Sequence, residues 1–218
     1  MTPLLMRRRD PKESQRKTLE STGRILLPMT GAILCGGKSV RMGRPKAFLP
    51  YGGRTLIEHR YQMLKEMFTE VVLVANDPDD YSHVTLDVVK DIIPNRGPLV
   101  GILSALLVAE NEHVFVIACD MPLVDKTLIR RMAMQAPASD VLVAHHEDGV
   151  EPLLGVYSKR CVEPLEAAIF EGNLKVTDFL GGISAKLFPV DAIGAGGRLP
   201  QHFNVNTPQD YSTLLMDG

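Results

Sequence analysis

The sequence predicts an α/β fold in which a Rossmann-like, mostly parallel sheet is flanked by helices on both faces. Segments typical of strands alternate with segments of helical periodicity, and this alternation favours a parallel sheet with helical crossovers. The run "VFVIAC" (114–119) is almost continuously apolar, as expected for a strand buried on both faces at the centre of the sheet. A chain of 218 residues with 45% hydrophobic content is long enough to bury the core of one domain.

Short runs rich in aliphatic residues predict the strands of this sheet. In chain order these runs are 30–35, 71–75, 87–91, 114–119, 140–145 and 185–190. A further apolar stretch, "PLLGVYS", lies at 152–158.

Helical spacing and helix-boundary residues predict helices between the strands. In the segment 55–68, apolar residues recur at helical spacing, and those expected to lie on the sheet are Leu56, Met63, Leu64 and Met67. Gly97-Pro98 precedes the helical segment "LVGILSALLVAE", because proline is tolerated in a first helical turn. Thr207 and Pro208 suit the first positions of a C-terminal helix. Further helices are predicted within 125–135, 159–171 and 175–180.

The first 28 residues differ from the rest, and we expect a flexible basic arm over 1–28 followed by a single domain over 29–218. Residues 1–24 contain seven basic and three acidic side chains with little apolar periodicity. Arg7–Arg9 are not followed by the apolar segment and cleavage site of a secretory signal. Met29 stands directly before the first predicted strand and is a candidate translation start, so we expect the arm to be dispensable.

Composition argues against several classes of partner. The net charge is −2, so no overall attraction to nucleic acid or to an acidic membrane is expected. The three cysteines are far apart and form no Cys-x-x-Cys pair, which favours reduced, buried thiols in a cytoplasmic protein over a disulfide or zinc framework. No apolar run reaches the ~18 residues of a spanning helix, so we expect a soluble protein.

The stretch "GAILCGGKS" (31–39) invites comparison with a P-loop because it ends in Gly-Lys-Ser. Its glycines do not have the Walker spacing, and they do not match the G-x-G-x-x-G dinucleotide fingerprint either. A short apolar run, a double glycine and basic residues still indicate a strand that leads into a phosphate-binding turn. An anionic ligand held by another geometry is therefore expected here.

Ligands of open α/β sheets bind outside the carboxyl ends of the strands, and this rule selects a short set of polar and glycine residues. The residues that follow predicted strands are Cys35, Gly36, Gly37, Asn76, Asp77, Asp91 and Asp120. A carboxylate after a buried strand, such as Asp120, is costly unless it is paired or binds a cation. Mg²⁺ ligation by Asp120 is therefore favoured over a role as a helix cap or turn former.

Cations and amides near these strand ends complete the candidate site. Arg41 and Lys46 follow the double glycine and are suited to neutralise phosphate charge, although a solvated charge run is the alternative for this basic segment. Asn204 and Asn206 alternate and would share one side of a strand; the alternative is turn chemistry before the last helix. The histidines show no Ser-His-Asp order.

Four motifs together resemble those of the molybdenum cofactor guanylyltransferases, a group within the nucleotidyltransferase superfamily. They are "LCGGKSVRMGRPK" (34–46), "GPLVGI" (97–102), "CDMP" (119–122) and "NVNTP" (204–208). The family's usual Leu-Ala-Gly-Gly has Cys35 in place of Ala, and Pro45 replaces the Asp common before the lysine. Since the other motif residues are present, we interpret both departures as variation. The resemblance also implies a nucleotidyltransferase type of α/β fold.

The resemblance implies transfer of GMP from GTP to Mo-molybdopterin, with release of pyrophosphate. Leu34, Cys35, Gly36 and Gly37 would hold the nucleotide together with Asn76 and Asp91, and Lys46 would bind its phosphates. Asp120 would bind Mg²⁺, with Asn206 completing the metal site, and Asn204 and Asn206 would lie near the pterin substrate. The expected catalytic residues are Lys46, Arg41 and Asp120. Proteins that deliver molybdopterin and apo-molybdoenzymes are implied partners.

Three alternatives remain at this stage. A molybdenum cofactor cytidylyltransferase would share the fold, but such relatives tend to have Ala at the position of Gly36, where glycine leaves room for a purine. Another small-molecule nucleotidyltransferase, acting on a sugar phosphate or an isoprenoid, fits the motifs less well. A non-catalytic carrier of the finished cofactor would not need both Lys46 and Asp120.

Overall fold

The aliphatic run that begins the predicted domain forms a long strand next to the central strand of the sheet, which is the strand predicted at 114–119. The computed structural model describes residues 25–36, 45–81, 84, 86, 88–136, 139–147, 149–190, 205 and 207–216. The seven strands of the main sheet are β1 (Leu27–Cys35), β4 (Phe68–Ala75), β5 (Val88–Lys90), β6 (His113–Ala118), β7 (Val141–His146), β8 (Gly149–Ser158) and β9 (Ala185–Pro189). The short strands β2 (Pro50–Tyr51) and β3 (Arg54–Thr55) form a separate hairpin.

The main sheet is mostly parallel, as predicted. Its strand order is β5-β4-β1-β6-β8-β7-β9. All neighbouring pairs are parallel except those made by β8, which runs antiparallel to β6 and to β7. The apolar stretch at 152–158 lies in the second part of this antiparallel strand, and its residues 154–158 are buried.

Helices cover both faces of the sheet, which confirms the predicted layers. They are α1 (Leu56–Lys65), α2 (Pro98–Val108), α3 (Lys126–Gln135), α4 (Val162–Phe170), α5 (Val176–Gly181) and α6 (Pro208–Met216). Alternate residues of β1 point to opposite faces, so Ile33 packs with α1 and α3 whereas Ala32 packs with α2, α4 and α5. None of the helices in the described part of the chain is long and apolar enough to cross a membrane.

The predicted helix over 55–68 is shorter in the structure and carries one apolar residue elsewhere. It ends at Lys65, because the Met67 carbonyl accepts the Leu27 N–H and Phe68 already begins β4. Leu56 does not pack on the sheet as expected. It joins a small cluster with Leu49, Val205 and Leu214.

Helix boundaries agree with the local sequence signals. Asp125 caps α3 by accepting the Leu128 N–H at 2.8 Å. At the start of α6, the Thr207 hydroxyl accepts the Asp210 N–H at 3.1 Å, and Asp210 accepts the Thr207 N–H at 2.8 Å. This reciprocal pair confirms Thr207 as the cap of the C-terminal helix.

The topology brings four strand ends together. From β1 the chain adds β4 and β5 on one side and then returns to add β6 on the other side of β1. Because these four strands are parallel neighbours, their carboxyl ends meet at one edge, and the strand order reverses there. This edge lies where the sequence places its candidate site.

Candidate functional site

A cavity of about 630 Å³ lies at this edge of the sheet. Its lining includes every described residue to which the resemblance assigns a role. These residues are Leu34, Cys35, Gly36, Lys46, Asn76, Asp91 and Asp120. Asp77, which also follows a strand, is not part of the lining. A cavity of this size is within the usual range for small-molecule sites.

Four predicted residues lie outside the described part of the chain. They are Gly37, Arg41, Asn204 and Asn206. Their roles therefore stay predictions.

An ion pair joins two segments at one end of the cavity. The Nζ atom of Lys46 lies 3.1 Å from Oδ2 of Asp120, and the two side chains are 17% and 21% exposed. Lys46 begins a short 3-10 helix, Lys46–Phe48, and Asp120 follows β6 by two residues. Because both groups are largely sheltered from water, their attraction is screened less than that of a surface pair.

The backbone on both sides of Asp120 is held by hydrogen bonds. The Cys119 N–H donates to the Leu34 carbonyl at 3.1 Å, and the Asp120 carbonyl accepts the Val205 N–H at 2.8 Å. Val205 is itself buried. The segment that contains Asn204 and Asn206 in sequence therefore reaches the predicted metal ligand at Val205.

The polar groups at the other end of the cavity are Asn76 and Asp91. The Asn76 Oδ1 atom accepts the Asn95 N–H at 2.7 Å, and this bond closes the loop between β5 and α2. The hydroxyl of Ser104 donates to Oδ1 of Asp91 at 2.6 Å. Both side chains are thus fixed by the protein before any ligand arrives.

Burial raises the pKa of the Asp91 carboxyl group above its ordinary value. The hydrogen bond from Ser104 opposes this shift, as does the bond from the backbone N–H of Ile92. A desolvated carboxylate is a strong acceptor for a ligand that brings its own N–H donors.

The structure explains why the "GPLVGI" motif has glycine at two positions, 97 and 101. Gly97 has φ of +90°, a backbone conformation that favours glycine, and it directly precedes α2. Gly101 lines the cavity, where an added Cβ would lie 3.5 Å from Leu34 and 4.0 Å from Oδ2 of Asp91. A larger side chain at either position would disturb the turn or fill the cavity.

The space at Gly36 is open on the protein side. An added Cβ there would meet only the Nδ2 atom of Asn76, at 3.7 Å, which is ordinary van der Waals contact. The protein would therefore accommodate an alanine at this position, but the added methyl group would occupy space that a ligand could use.

Cys35 contacts Cys119 and Tyr81 in the wall of the cavity. Burial raises the pKa of the Cys35 thiol well above its ordinary value, and burial also raises that of the Tyr81 hydroxyl. All three cysteines are free and buried, as predicted. Cys35 therefore remains a neutral thiol at neutral pH, which suits a small lining residue in place of alanine.

A second cavity, of about 480 Å³, opens beside the first. The two cavities share Pro98, Ala118, Asp120 and Leu153. The second is otherwise mostly apolar, with Glu151, Lys175 and Thr177 as polar residues of its lining. Asp120 thus lies on the wall between two spaces that a pair of substrates could fill.

The donor chemistry at Asp120 fits Mg²⁺. Within the described ranges, no group of three or more His, Cys, Asp or Glu side chains is placed to hold a metal ion. Mg²⁺ in nucleotide sites is commonly bound by one or two carboxylates, with phosphate oxygens and water as the other ligands. A carboxylate on a rigid strand end beside a nucleotide-sized cavity meets that requirement.

Sequence reasoning missed Ser104 and Tyr81, which line or support the site. Ser104 is fully buried in a helix that is otherwise almost entirely apolar, and this contrast is the signal that could have identified it. Tyr81 ends the short 3-10 helix Pro78–Tyr81 after two aspartates and carries no comparable signal.

Comparison with known proteins agrees with the geometry. A model of the MobA-like NTP transferase domain matches residues 31–185. A protein of Carboxydothermus hydrogenoformans named probable molybdenum cofactor guanylyltransferase is 39% identical over 188 residues, which are 86% of this chain and 95% of that protein. A protein of the same name from Pelotomaculum thermopropionicum is 37% identical over 85% of this chain and 91% of its own length.

A solved structure has the same fold. The molybdopterin-guanine dinucleotide biosynthesis protein A of Archaeoglobus fulgidus aligns with a TM-score of 0.74 and 27% identity, over 85% of this chain and 96% of that one. Sequence and structure thus lead to one assignment: the chain belongs to the family of MobA-like NTP transferase domains.

Proposed function

We propose that this protein transfers GMP from GTP to the terminal phosphate of Mo-molybdopterin and releases pyrophosphate. The observation that carries the proposal is the Lys46–Asp120 ion pair, which lies beside a nucleotide-sized cavity and on the wall of a second cavity. The names of the relatives in two organisms support the same reaction.

The chemistry requires little more than positioning and charge neutralisation. An oxygen of the acceptor phosphate forms a bond to the α-phosphorus of GTP. The bond from that phosphorus to the oxygen shared with the β-phosphate breaks, and its electron pair leaves with pyrophosphate. Since the acceptor phosphate is already anionic at neutral pH, no side chain has to remove a proton.

Lys46 and Asp120 have distinct roles in this proposal. Lys46 binds the phosphates of GTP and neutralises part of their charge, and Arg41 is proposed to add a second cation. Asp120 is proposed to hold Mg²⁺, with Asn206 as a second ligand. The metal would supply further neutralisation of the phosphate charge.

Asp91 and Asn76 are proposed to select the base. Guanine offers an N–H and an amino group side by side, and a carboxylate accepts hydrogen bonds from both. Cytosine and adenine lack this pair of adjacent donors, so they would leave a buried carboxylate only partly satisfied. The segment that follows β1 would contact the nucleotide between its base and its phosphates, through Leu34, Cys35, Gly36 and Gly37.

The second cavity is proposed to receive the acceptor. In an in-line displacement, the incoming oxygen and the leaving oxygen lie on opposite sides of the phosphorus. A space that shares only part of its wall with the nucleotide cavity, at Asp120, suits that requirement. Asn204 and Asn206 are proposed to contact the pterin. A cytoplasmic location stays a prediction from the cysteines, and contacts with molybdopterin-delivery proteins and apo-molybdoenzymes stay predictions from the resemblance.

Pyrophosphate release with each of the four nucleoside triphosphates, with and without Mo-molybdopterin, tests the proposal. We expect release only with GTP and the acceptor together. Equal turnover of CTP would assign the protein to the cytidylyltransferases. No release with any nucleotide, in a protein that binds the finished dinucleotide cofactor, would favour a carrier.

A further inference from the structure

Arg60 is a buried cation whose position is not explained by the proposed reaction. It lies on α1, and its side chain is 1% exposed. None of the ion pairs among the described residues includes it. Burying a guanidinium group without a carboxylate partner is costly, so other contacts must favour its presence.

Those contacts are backbone carbonyl groups just beyond Asp120. The Nη1 atom of Arg60 donates to the Val124 carbonyl at 2.9 Å, and Nη2 donates to the Met121 carbonyl. Its Nε has no hydrogen-bond partner within the described part of the chain. The segment 121–124 lies between β6 and α3, outside the sheet ladder. Within it the Val124 N–H makes only a long bond of 3.4 Å to the Met121 carbonyl, so Arg60 supplies the main side-chain donors to the Met121 and Val124 carbonyl groups.

The same helix also holds the segment that carries Lys46. The Leu56 N–H, at the start of α1, donates to the Leu49 carbonyl at 2.9 Å. Leu49 directly follows the 3-10 helix that begins at Lys46. Leu56 and Arg60 are the first and fifth residues of α1, so the two contacts lie about one helical turn apart. One helix, α1, therefore makes hydrogen bonds to the segment after Lys46 and to the segment after Asp120.

We propose that Arg60 is a positioning residue: by bridging the Met121 and Val124 carbonyl groups it fixes the backbone after Asp120 and aims the Asp120 carboxylate at Lys46 and the phosphates. This inference rests on the proposed function of the site. A planar guanidinium can donate to two carbonyl groups at once, whereas an ammonium group is a single point with less fixed geometry. Burial lowers the pKa of Arg60 to about 10, so it stays cationic at neutral pH.

Arg60→Met and Arg60→Lys test the role, with Leu165→Ala as the control. Methionine removes the donors at similar length, and lysine keeps the charge. Leu165 is fully buried on the opposite face of the sheet, so its truncation lowers stability without reaching 121–124. The readouts are amide hydrogen exchange over 119–124, Mn²⁺ affinity in the presence of GTP, and separate kcat and KM values.

For Arg60→Met we expect faster exchange over 119–124, and Mn²⁺ affinity and kcat each reduced on the order of 10-fold, as for other residues that orient a metal ligand. The KM for GTP should change little, Arg60→Lys should be intermediate, and Leu165→Ala should match wild type in all but stability. If Arg60→Met does not fold, the same measurements on Arg60→Lys test the inference.

Wild-type exchange and Mn²⁺ affinity in a folded Arg60 variant would overturn the inference. The exchange measurement needs no substrate, so it separates this outcome from a failure of the proposed function. If the wild-type protein did not turn over GTP, the effect on exchange over 119–124 would still decide whether Arg60 orders that segment.

Discussion

The Nζ atom of Lys46 lies 3.1 Å from Oδ2 of Asp120, although 74 residues separate them in the chain. The two residues enter from neighbouring segments at the carboxyl edge of a parallel sheet, where the 3-10 helix after β1 meets the loop after β6. In the proposed reaction each has a different partner, since Lys46 binds phosphate and Asp120 binds the metal.

Asp120→Asn should lower kcat by roughly 10²-fold or more, as expected when a preorganised electrostatic partner is lost. Folding should survive, because the amide is isosteric and lies at the mouth of the cavity. Steady-state kinetics at saturating GTP and Mg²⁺ measure the effect, and thermal unfolding serves as the control. Near wild-type turnover in the folded variant would refute the assigned role.

Lys46→Gln should weaken GTP binding by roughly 10-fold or more, because a charge-assisted contact with phosphate is lost. In the free protein it should strengthen Mn²⁺ binding, since the Asp120 carboxylate no longer pairs with an ammonium group. Isothermal titration measures both. Lys65→Gln, at the exposed end of α1, is the matched control. Unchanged Mn²⁺ affinity would show that the ion pair does not restrict access to the carboxylate.

Asp91 predicts a pH dependence. Its pKa is raised in the folded protein, so the folded state binds the proton more tightly and stability falls as pH rises from the unfolded pKa of about 3.8 through the raised value. Asp91→Asn should therefore be more stable than wild type at neutral pH, with the difference shrinking in acid. Urea unfolding across this pH range checks the sign.

The same carboxylate should couple GTP affinity to pH. If guanine donates to ionised Asp91, the affinity for GTP falls as pH drops through the raised pKa, and Asp91→Asn removes this dependence along with most of the affinity. Titrations of both proteins with GTP at several pH values measure this dependence of affinity on pH. A pH profile shared by wild type and variant would place the titrating group elsewhere.

Gly36→Ala should reduce kcat/KM for GTP by roughly 10-fold or more, because a methyl group in the cavity takes space from the purine. Stability should not change, since the added Cβ meets only Asn76 at 3.7 Å. Gly181→Ala is the control, because an added Cβ there meets nothing within 4 Å. Wild-type use of GTP by the Gly36 variant would mean that the base lies elsewhere.

A chain that starts at Ile25 and one that starts at Met29 should both fold and keep activity, because the proposed site lies entirely beyond Met29. The shorter chain loses the Leu27 N–H bond to the Met67 carbonyl and is expected to be less stable by about 1 kcal/mol. Chemical unfolding and pyrophosphate release compare the two. Loss of activity in the Ile25 chain would show that the basic arm takes part in the reaction.

The sequence by itself determined the layers of the fold and the edge at which the site lies. Hydrophobic patterning is a local property: a short continuous apolar run indicates a buried strand at 114–119, and helical spacing indicates a helix at 125–135, without reference to the rest of the chain. The rule that ligands bind at strand ends then selected Gly36, Asn76, Asp91 and Asp120, because each lies at the end of a predicted strand.

Only the tertiary structure decided which of these residues meet and what supports them. Packing between distant segments determines three features that the sequence did not predict. They are the antiparallel direction of β8, the early end of α1 at Lys65 and the contact of Arg60 with the segment after Asp120. Ser104 reaches Asp91 only because α2 crosses the sheet at that strand end. Local patterns predict which residues are buried, but which distant side chain each of them contacts depends on how separate segments pack together.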